Sequence, residues 1–348
     1  MTSDDNLAAL KKVDRPILVT GGGGFLGRAI VRRLLQLGLS VRSFSRRRHA
    51  ELTLLDVEQI RGDLADPEAV LKAVGGGEIV IHTAAKPPPW GRYRDYFRTN
   101  TVGTETLVQA CQRRGIAALV HTSSPSVVFD GGDLEGVDES VPYPSRYLSP
   151  YAQTKALAEQ CVLVAARAGL KAIVLRPHEI WGPEDPHIVP RIIAKAKRLK
   201  RIGDGKNLVD TVYVDNAAEA HLLAADALLQ KPHLSGRTYF ISQDDPVPFW
   251  DIVDEVLKAA DMDSIKGTVP YPAAWLTGAI CEGVWRCFNL GGEPPLTRFL
   301  ANAAAKSHWF DIRAAKRDLG YRPRISTAEG LKRLADWLRS TQSKEETE

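Results

Sequence analysis

The segment Thr20-Gly-Gly-Gly-Gly-Phe-Leu-Gly27 narrows the fold more than any other feature of this chain. It lies between an apolar run, residues 16–21, that reads as a buried strand, and an amphipathic stretch, Phe25 to Leu37, that reads as a helix. Taken as G-x-x-G-x-x-G, Gly21 permits a tight turn, Gly24 lets backbone approach a pyrophosphate, and Gly27 lets helix and strand pack closely. Phe25 and Leu26 open the helix, whose free N–H groups and positive dipole end suit phosphate. A strand, a glycine turn and a helix in this order imply a dinucleotide site on a Rossmann unit.

The next 150 residues repeat the alternation. Strands are expected at Leu39–Ser45, Glu78–Thr83, Ala118–Thr122 and Ala172–Arg176, with helices at Pro67–Val74, Thr99–Arg113 and from Pro150 onward. This argues for an α/β fold with a doubly wound parallel sheet. The Rossmann domain is assigned to residues 14–180, and a smaller, mostly helical substrate lobe to 181–340. Within the lobe, 192–199, 217–229, 249–259 and 312–319 look helical, and the strand Thr238–Ser242 is expected to return to the main sheet.

Composition sets bounds on function. Of 348 residues 44% are apolar, and the net charge of +4 is too small to point to nucleic acid. The acidic start, Met1-Thr-Ser-Asp-Asp-Asn6, carries no signal region, and no uninterrupted run of 18 apolar residues occurs, so a cytoplasmic protein is expected. Cys111, Cys161, Cys281 and Cys287 show no metal-ligand spacing, which suggests reduced thiols and no metal.

Two further segments carry chemistry. At the end of the second strand, where an acid would hold the ribose 2′-OH of NAD, the chain has Ser45 followed by Arg46, Arg47 and Arg48. Without a repelling carboxylate and with guanidinium groups alongside, NADP(H) is favoured over NAD(H). The second segment is Ser149-Pro-Tyr-Ala-Gln-Thr-Lys155. Ser149 suits an N-cap and Pro150 the first helical position, which puts Tyr151 and Lys155 on one face as i and i+4. An ammonium beside the phenol is expected to lower its pKa toward the range of a general acid and base. A serine at the end of Ala118–Thr122 would add a donor to a substrate carbonyl oxygen; Ser124 is assigned this role, with Ser123 as the alternative.

The glycine spacing and the Ser–Tyr–Lys set resemble the extended branch of the short-chain dehydrogenase/reductase superfamily. That resemblance implies that Asp63, in Asp63-Leu64, accepts from the adenine amino group, and that Ala84, in His82-Thr-Ala-Ala85, passes under the adenosine and ribose. It also implies that Asn100 buttresses the catalytic region and that Lys155 holds the nicotinamide ribose. Thr122-Ser-Ser-Pro-Ser-Val-Val-Phe129, Arg176-Pro177 with Trp181-Gly-Pro183, and Tyr213-Val-Asp-Asn216 resemble the 3β-hydroxysteroid dehydrogenase group. Within it the chain looks like two bacterial types. One is the ketoreductase of long-chain olefin biosynthesis, which acts on 2-alkyl-3-oxoalkanoates; the other is the sterol-4-carboxylate 3-dehydrogenase.

The resemblance therefore implies an oxidoreductase that interconverts a ketone and a secondary alcohol on a hydrophobic substrate, a β-keto acid first and a 3β-hydroxysterol carboxylate second. A sugar-nucleotide epimerase or dehydratase is the other enzymatic alternative, and a non-enzymatic NADP-sensing protein is a third. For an anionic substrate His178, Arg146 and His187 are candidate partners, and Asp210 resembles a residue near the substrate entrance. The stretch Tyr271–Leu290 is expected as a helix lining a greasy pocket, with Glu282 and Arg286 keeping one face polar; shallow membrane contact is the competing role. A homodimer and partner enzymes of a lipid pathway follow from the same resemblance.

Overall fold

In the computed structural model, which describes residues 7–75, 78–88 and 90–345, seven parallel strands form the central sheet. They are β1 (Ile17–Thr20), β2 (Val41–Ser45), β3 (Glu58–Arg61), β4 (Ile79–His82), β5 (Ala118–Thr122), β6 (Ala172–Pro177) and β7 (Thr238–Ile241). Their spatial order is 3-2-1-4-5-6-7, the doubly wound arrangement whose strand order reverses beside β1.

The inner strands are apolar on both sides, as a sheet covered on both faces requires, while the edge strand β3, Glu-Gln-Ile-Arg, is largely exposed. Val19, Ile81, Val120 and Leu175 point to one face. There they meet Ile30 and Leu34 of α1 (Phe25–Gln36) and Leu222 and Leu228 of the helix Val214–Gln230. Their neighbours Leu18, Val80, Leu119 and Val174 point the other way, onto Leu107 of α2 (Gly103–Arg114) and Val162 of α3 (Pro150–Arg167). The helix Val214–Gln230, labelled α4, thus belongs to the Rossmann core although it follows residue 180. So do β7 and the segment carrying Phe310, Ile312 and Tyr321.

The lobe has its own core. Trp250, Val253 and Leu257 of α5 (Phe249–Ala259) pack with Ile202, Ala274 and Ala301. A short four-stranded sheet, ordered Val247–Pro248, Leu208–Val209, His308–Phe310 and Leu134–Val137, lies at its base. These two- to four-residue strands are too short to leave a period in the sequence. The helix α6 covers Tyr271–Cys287, and α7, Thr327–Glu345, seats Leu334 against Trp181, Tyr213 and Val256. Met1–Asn6 and the last residues of the charged tail, 346–348, lie outside the described residues.

Candidate active site

The carboxyl ends of β1, β2, β4, β5 and β6 open on one cavity of about 1370 Å³. That exceeds the space a drug-sized ligand needs and suits a dinucleotide together with a second molecule. Most residues assigned from the sequence to cofactor or catalysis line it: Gly21, Gly24, Phe25, Leu26 and Gly27; Ser45 and Arg46; Asp63, Leu64 and Ala84; Ser124, Tyr151 and Lys155; Arg48 and Asn100 do not.

The glycine turn is built by close contacts. Gly21 has φ +72°, and a Cβ on Gly27 would lie 2.1 Å from the Gly21 carbonyl oxygen, so a side chain there would break the turn. Gly24 stands at the N-cap of α1 with no side chain over the helix end, which leaves room for an anion. Ser45 closes β2 and donates to the Arg47 carbonyl at 2.7 Å, with Arg46 and Arg47 at the cavity wall beside it. Asp63 accepts from Arg98 at 2.9 Å and from the Ala65 N–H, and these bonds hold its carboxyl below the usual range. His49, which the sequence did not single out, lays its ring against Gly23 at the same wall.

The catalytic helix starts as its capping residues dictate: Ser149 Oγ accepts from the Ala152 N–H at 3.2 Å and Pro150 takes the first position. Tyr151 faces the cavity. Burial raises its phenol, and a hydrogen bond from Ser124 opposes that rise. The depression expected from Lys155 does not occur in this arrangement. The lysine donates instead to the Thr122 carbonyl at 2.5 Å. Burial pushes its own ammonium down to about 8, against the pull of Glu159.

The two serines part company. Ser123 is buried and donates to Glu159, whose carboxylate also takes Arg176 at 2.5 Å and the Tyr143 hydroxyl at 2.7 Å. Ser124 caps the turn Pro125–Val127 and keeps its hydroxyl at the cavity, bonded to Ser126 and near enough to Tyr151 to act on its phenol. Asn100 is buried rather than on a helix surface. It sits in a π-helical turn, Phe97–Val102, accepts from the Lys86 N–H at 2.7 Å and donates to Thr154 Oγ1 at 3.3 Å. It thereby ties the strand-end loop to the first turns of the catalytic helix.

The substrate side of the cavity corrects several expectations. Its apolar wall comes from Phe129, Trp250, Val253, Leu296 and Phe299, not from α6. That helix is turned the other way: Glu282 is buried and holds Arg298 at 2.7 Å, while Leu276, Ile280, Val284 and Phe288 are exposed. The face it turns inward carries Ala274, Gly278 and Glu282: a Cβ on Gly278 would lie 2.8 Å from the Arg298 backbone nitrogen, and Glu282 accepts from the Arg298 N–H at 2.7 Å. Arg146 is exposed and away from the cavity, whereas His178 and His187 line it. Asp210 is buried away from the lining, where its carboxylate bonds Ser242 and Gln243 and burial raises it to about 6. His308, unmarked in the sequence, comes from a strand 130 residues beyond His178 and meets it ring to ring.

Comparison with known proteins places this geometry. The 3-beta hydroxysteroid dehydrogenase/isomerase family matches over residues 18–271. The chain is 47% identical over 322 residues to a 2-alkyl-3-oxoalkanoate reductase of Stenotrophomonas maltophilia, covering 91% of this chain and 98% of that one. It is 45% identical to the protein so described in Shewanella oneidensis, over 96% of this chain and 88% of the other. To the decarboxylating sterol-4-alpha-carboxylate 3-dehydrogenase of Mus musculus it is 33% identical, over 90% and 88%. Among solved structures, gox2253 aligns with a TM-score of 0.76 at 26% identity, covering 94% and 98%. MoeE5 in complex with UDP-glucose and NAD aligns with 0.73 at 26%, covering 94% and 100%.

Proposed function

This chain belongs to the 3-beta hydroxysteroid dehydrogenase/isomerase family, and from that premise we propose that it reduces a 2-alkyl-3-oxoalkanoate to the 3-hydroxy acid with NADPH. It is an oxidoreductase that uses a nicotinamide dinucleotide and acts on a CH–OH group. The observation that carries the finer reading is the meeting of Ser124 and Tyr151 with the apolar wall of Phe129, Trp250 and Phe299 in one cavity.

The nicotinamide, when bound, supplies the hydride. Tyr151 gives its phenolic proton to the ketone oxygen, and Ser124 donates its one hydroxyl proton to the same oxygen. Lys155 holds its ammonium close to neutrality behind the tyrosine, where ribose hydroxyls would compete with the Thr122 carbonyl for its protons. The turn Gly21–Gly27 and the open end of α1 would take the pyrophosphate. A 2′-phosphate at Ser45 would meet Arg46 and Arg47 and no carboxylate, which is why NADPH is preferred in this reading.

The test is absorbance of NADPH in the presence of the purified protein and a 2-alkyl-3-oxo acid. Oxidation stoichiometric with 3-hydroxy acid is expected; no turnover with any hydrophobic keto acid would overturn the reading. A second reading, oxidation of a sterol 4-carboxylate, rests on the 33% relatives and shares the same groups. It predicts NAD(P)⁺ reduction with a 3β-hydroxysterol acid in place of the alkyl acid.

Among the described residues no helix is long and apolar enough to cross a membrane. Basic residues gather where α6 ends: Arg92 bonds Asn289, Lys195 bonds the Pro295 carbonyl, and Arg191 and Arg286 are paired with Glu293 and Glu282. An apolar stripe with a basic border fits an anionic lipid surface, so peripheral contact with lipid is part of the proposal.

A further inference from the structure

His178 follows β6 and His308 opens the strand His308–Phe310, and their rings meet edge to face at 4.9 Å on the cavity wall. Each ring is fixed by a backbone carbonyl. His178 Nδ1 lies 2.7 Å from the Asp210 carbonyl oxygen, and His308 Nε2 lies 2.7 Å from that of Ala303. A carbonyl oxygen can only accept, so both of these nitrogens carry hydrogen. The remaining nitrogens, His178 Nε2 and His308 Nδ1, then face one another at 3.0 Å.

If both rings were neutral, two lone pairs would oppose each other at hydrogen-bond distance. One added proton turns that clash into an N–H···N bond of ordinary length and gives the pair a single positive charge. The added proton lies between His178 Nε2 and His308 Nδ1. The groups facing the pair are the Glu179 carboxylate and a wall of Phe129 and Phe310. The Asp210 carboxylate is engaged elsewhere, by Ser242 and Gln243. A Glu179 carboxylate oxygen and one ring nitrogen from each histidine lie within 4.8 Å of one another, and Glu179 reaches there from a backbone held at φ +40°, a conformation a non-glycine residue adopts only where its surroundings impose it.

Resting on the β-keto acid reading above, we propose that His178 and His308 share one proton and form the cationic subsite for the substrate carboxylate, with Glu179 as the resident anion that the substrate displaces. The carboxylate of such an acid lies two bonds from the carbon that reacts, so its receptor must sit in the same cavity as Ser124 and Tyr151, as this pair does. No short sequence motif could show it, because residues 178 and 308 meet only through the fold.

The experiment compares a 2-alkyl-3-hydroxyalkanoic acid with its methyl ester, both oxidised with NADP⁺. The intact protein should show a KM for the acid about tenfold or more below that for the ester, as befits a hydrogen bond to a charged group. His308→Gln should raise the acid's KM by a similar factor, with a much smaller change in the ester's KM and in kcat for both. Glu179→Gln should act in the opposite direction and lower the acid's KM. Equal KM values for acid and ester in the intact protein would overturn the proposal. So would an equal shift of both in His308→Gln, a raised acid KM in Glu179→Gln, or a transition metal bound one to one in the purified protein. Should His308→Gln fail to fold, the intact protein and Glu179→Gln decide alone. Should neither compound turn over, the reductase reading falls instead. The pair is then judged by calorimetric binding of acid against ester, with equal affinity counting against it.

Discussion

Ser123 and Ser124 offer the same hydroxyl from adjacent positions, and their partners give them different work. Ser124→Ala should lower kcat by about a hundredfold, the scale of losing one donor to a developing oxyanion, with little change in melting temperature. Ser123→Ala removes a donor from the buried Glu159, so it should cost about 1–3 kcal/mol of stability and far less of kcat. Steady-state kinetics beside thermal denaturation separates the two; a kinetic defect confined to Ser123→Ala would reverse the assignment. Lys155 makes a second prediction. Its folded pKa of about 8 lies below the value of 10.5 for a free lysine, so the folded state binds fewer protons between these limits and stability rises with pH there. Below pH 8 the full penalty for burying the charge is present, on the order of 3 kcal/mol without cofactor. Lys155→Met should therefore stabilise the cofactor-free protein at pH 7, by an amount that fades toward pH 10.5, while abolishing turnover. Denaturant midpoints at the two pH values check the sign. At Ser45, Asp in place of Ser would set a carboxylate beside Arg46 and Arg47, and the ratio of kcat/KM for NADPH to that for NADH should fall at least tenfold.

At the scale of elements, α6 shows where sequence reasoning and folding diverge. Its apolar residues outnumber its polar ones, which pointed to a buried lining, yet Leu276, Ile280, Val284 and Phe288 recur every fourth residue on the outer face. Composition could not reveal this, because the inward face is set by how Gly278 and Glu282 meet the segment at Thr297 and Arg298, a packing the sequence does not state. Replacing Ile280 with Glu should leave stability within about 0.5 kcal/mol, as for a surface site, and abolish co-sedimentation with anionic vesicles. Unchanged sedimentation would remove the lipid surface from the proposal. By contrast the glycine turn, β5, the cap at Ser149 and the Tyr151–Lys155 pair were legible, because each is encoded by residues within a few positions of one another. The π-helical turn holding Asn100 was not, since a widened turn has no period of its own. His49 and His308 were missed for a related reason: each acts against a residue distant in sequence.

For the molecule as a whole, the chain does not divide where its function does. The alternation of strands and helices ends near residue 180, and a boundary there keeps the assigned cofactor and catalytic residues on one side. Physically, however, α1 has its apolar face covered by α4, and β6 is flanked by β7, both supplied from beyond that point. Ion pairs also cross it: Arg33 of α1 holds Glu219 of α4 at 2.9 Å, and Arg32 reaches Glu184. A chain ending at residue 180 would expose Ile30, Val31 and Leu34 and leave β6 as an open, apolar edge, a hazard for aggregation. The intact protein should therefore unfold in one cooperative calorimetric transition that NADPH moves upward as a unit, because ligand binding stabilises whatever folds with its site. Fragment 1–180 should show no such transition and should bind a hydrophobic dye. Two transitions in the intact protein, only one of them shifted by the dinucleotide, would mean that the substrate lobe folds apart from the sheet, and that the packing of α4 and β7 contributes little to holding them together.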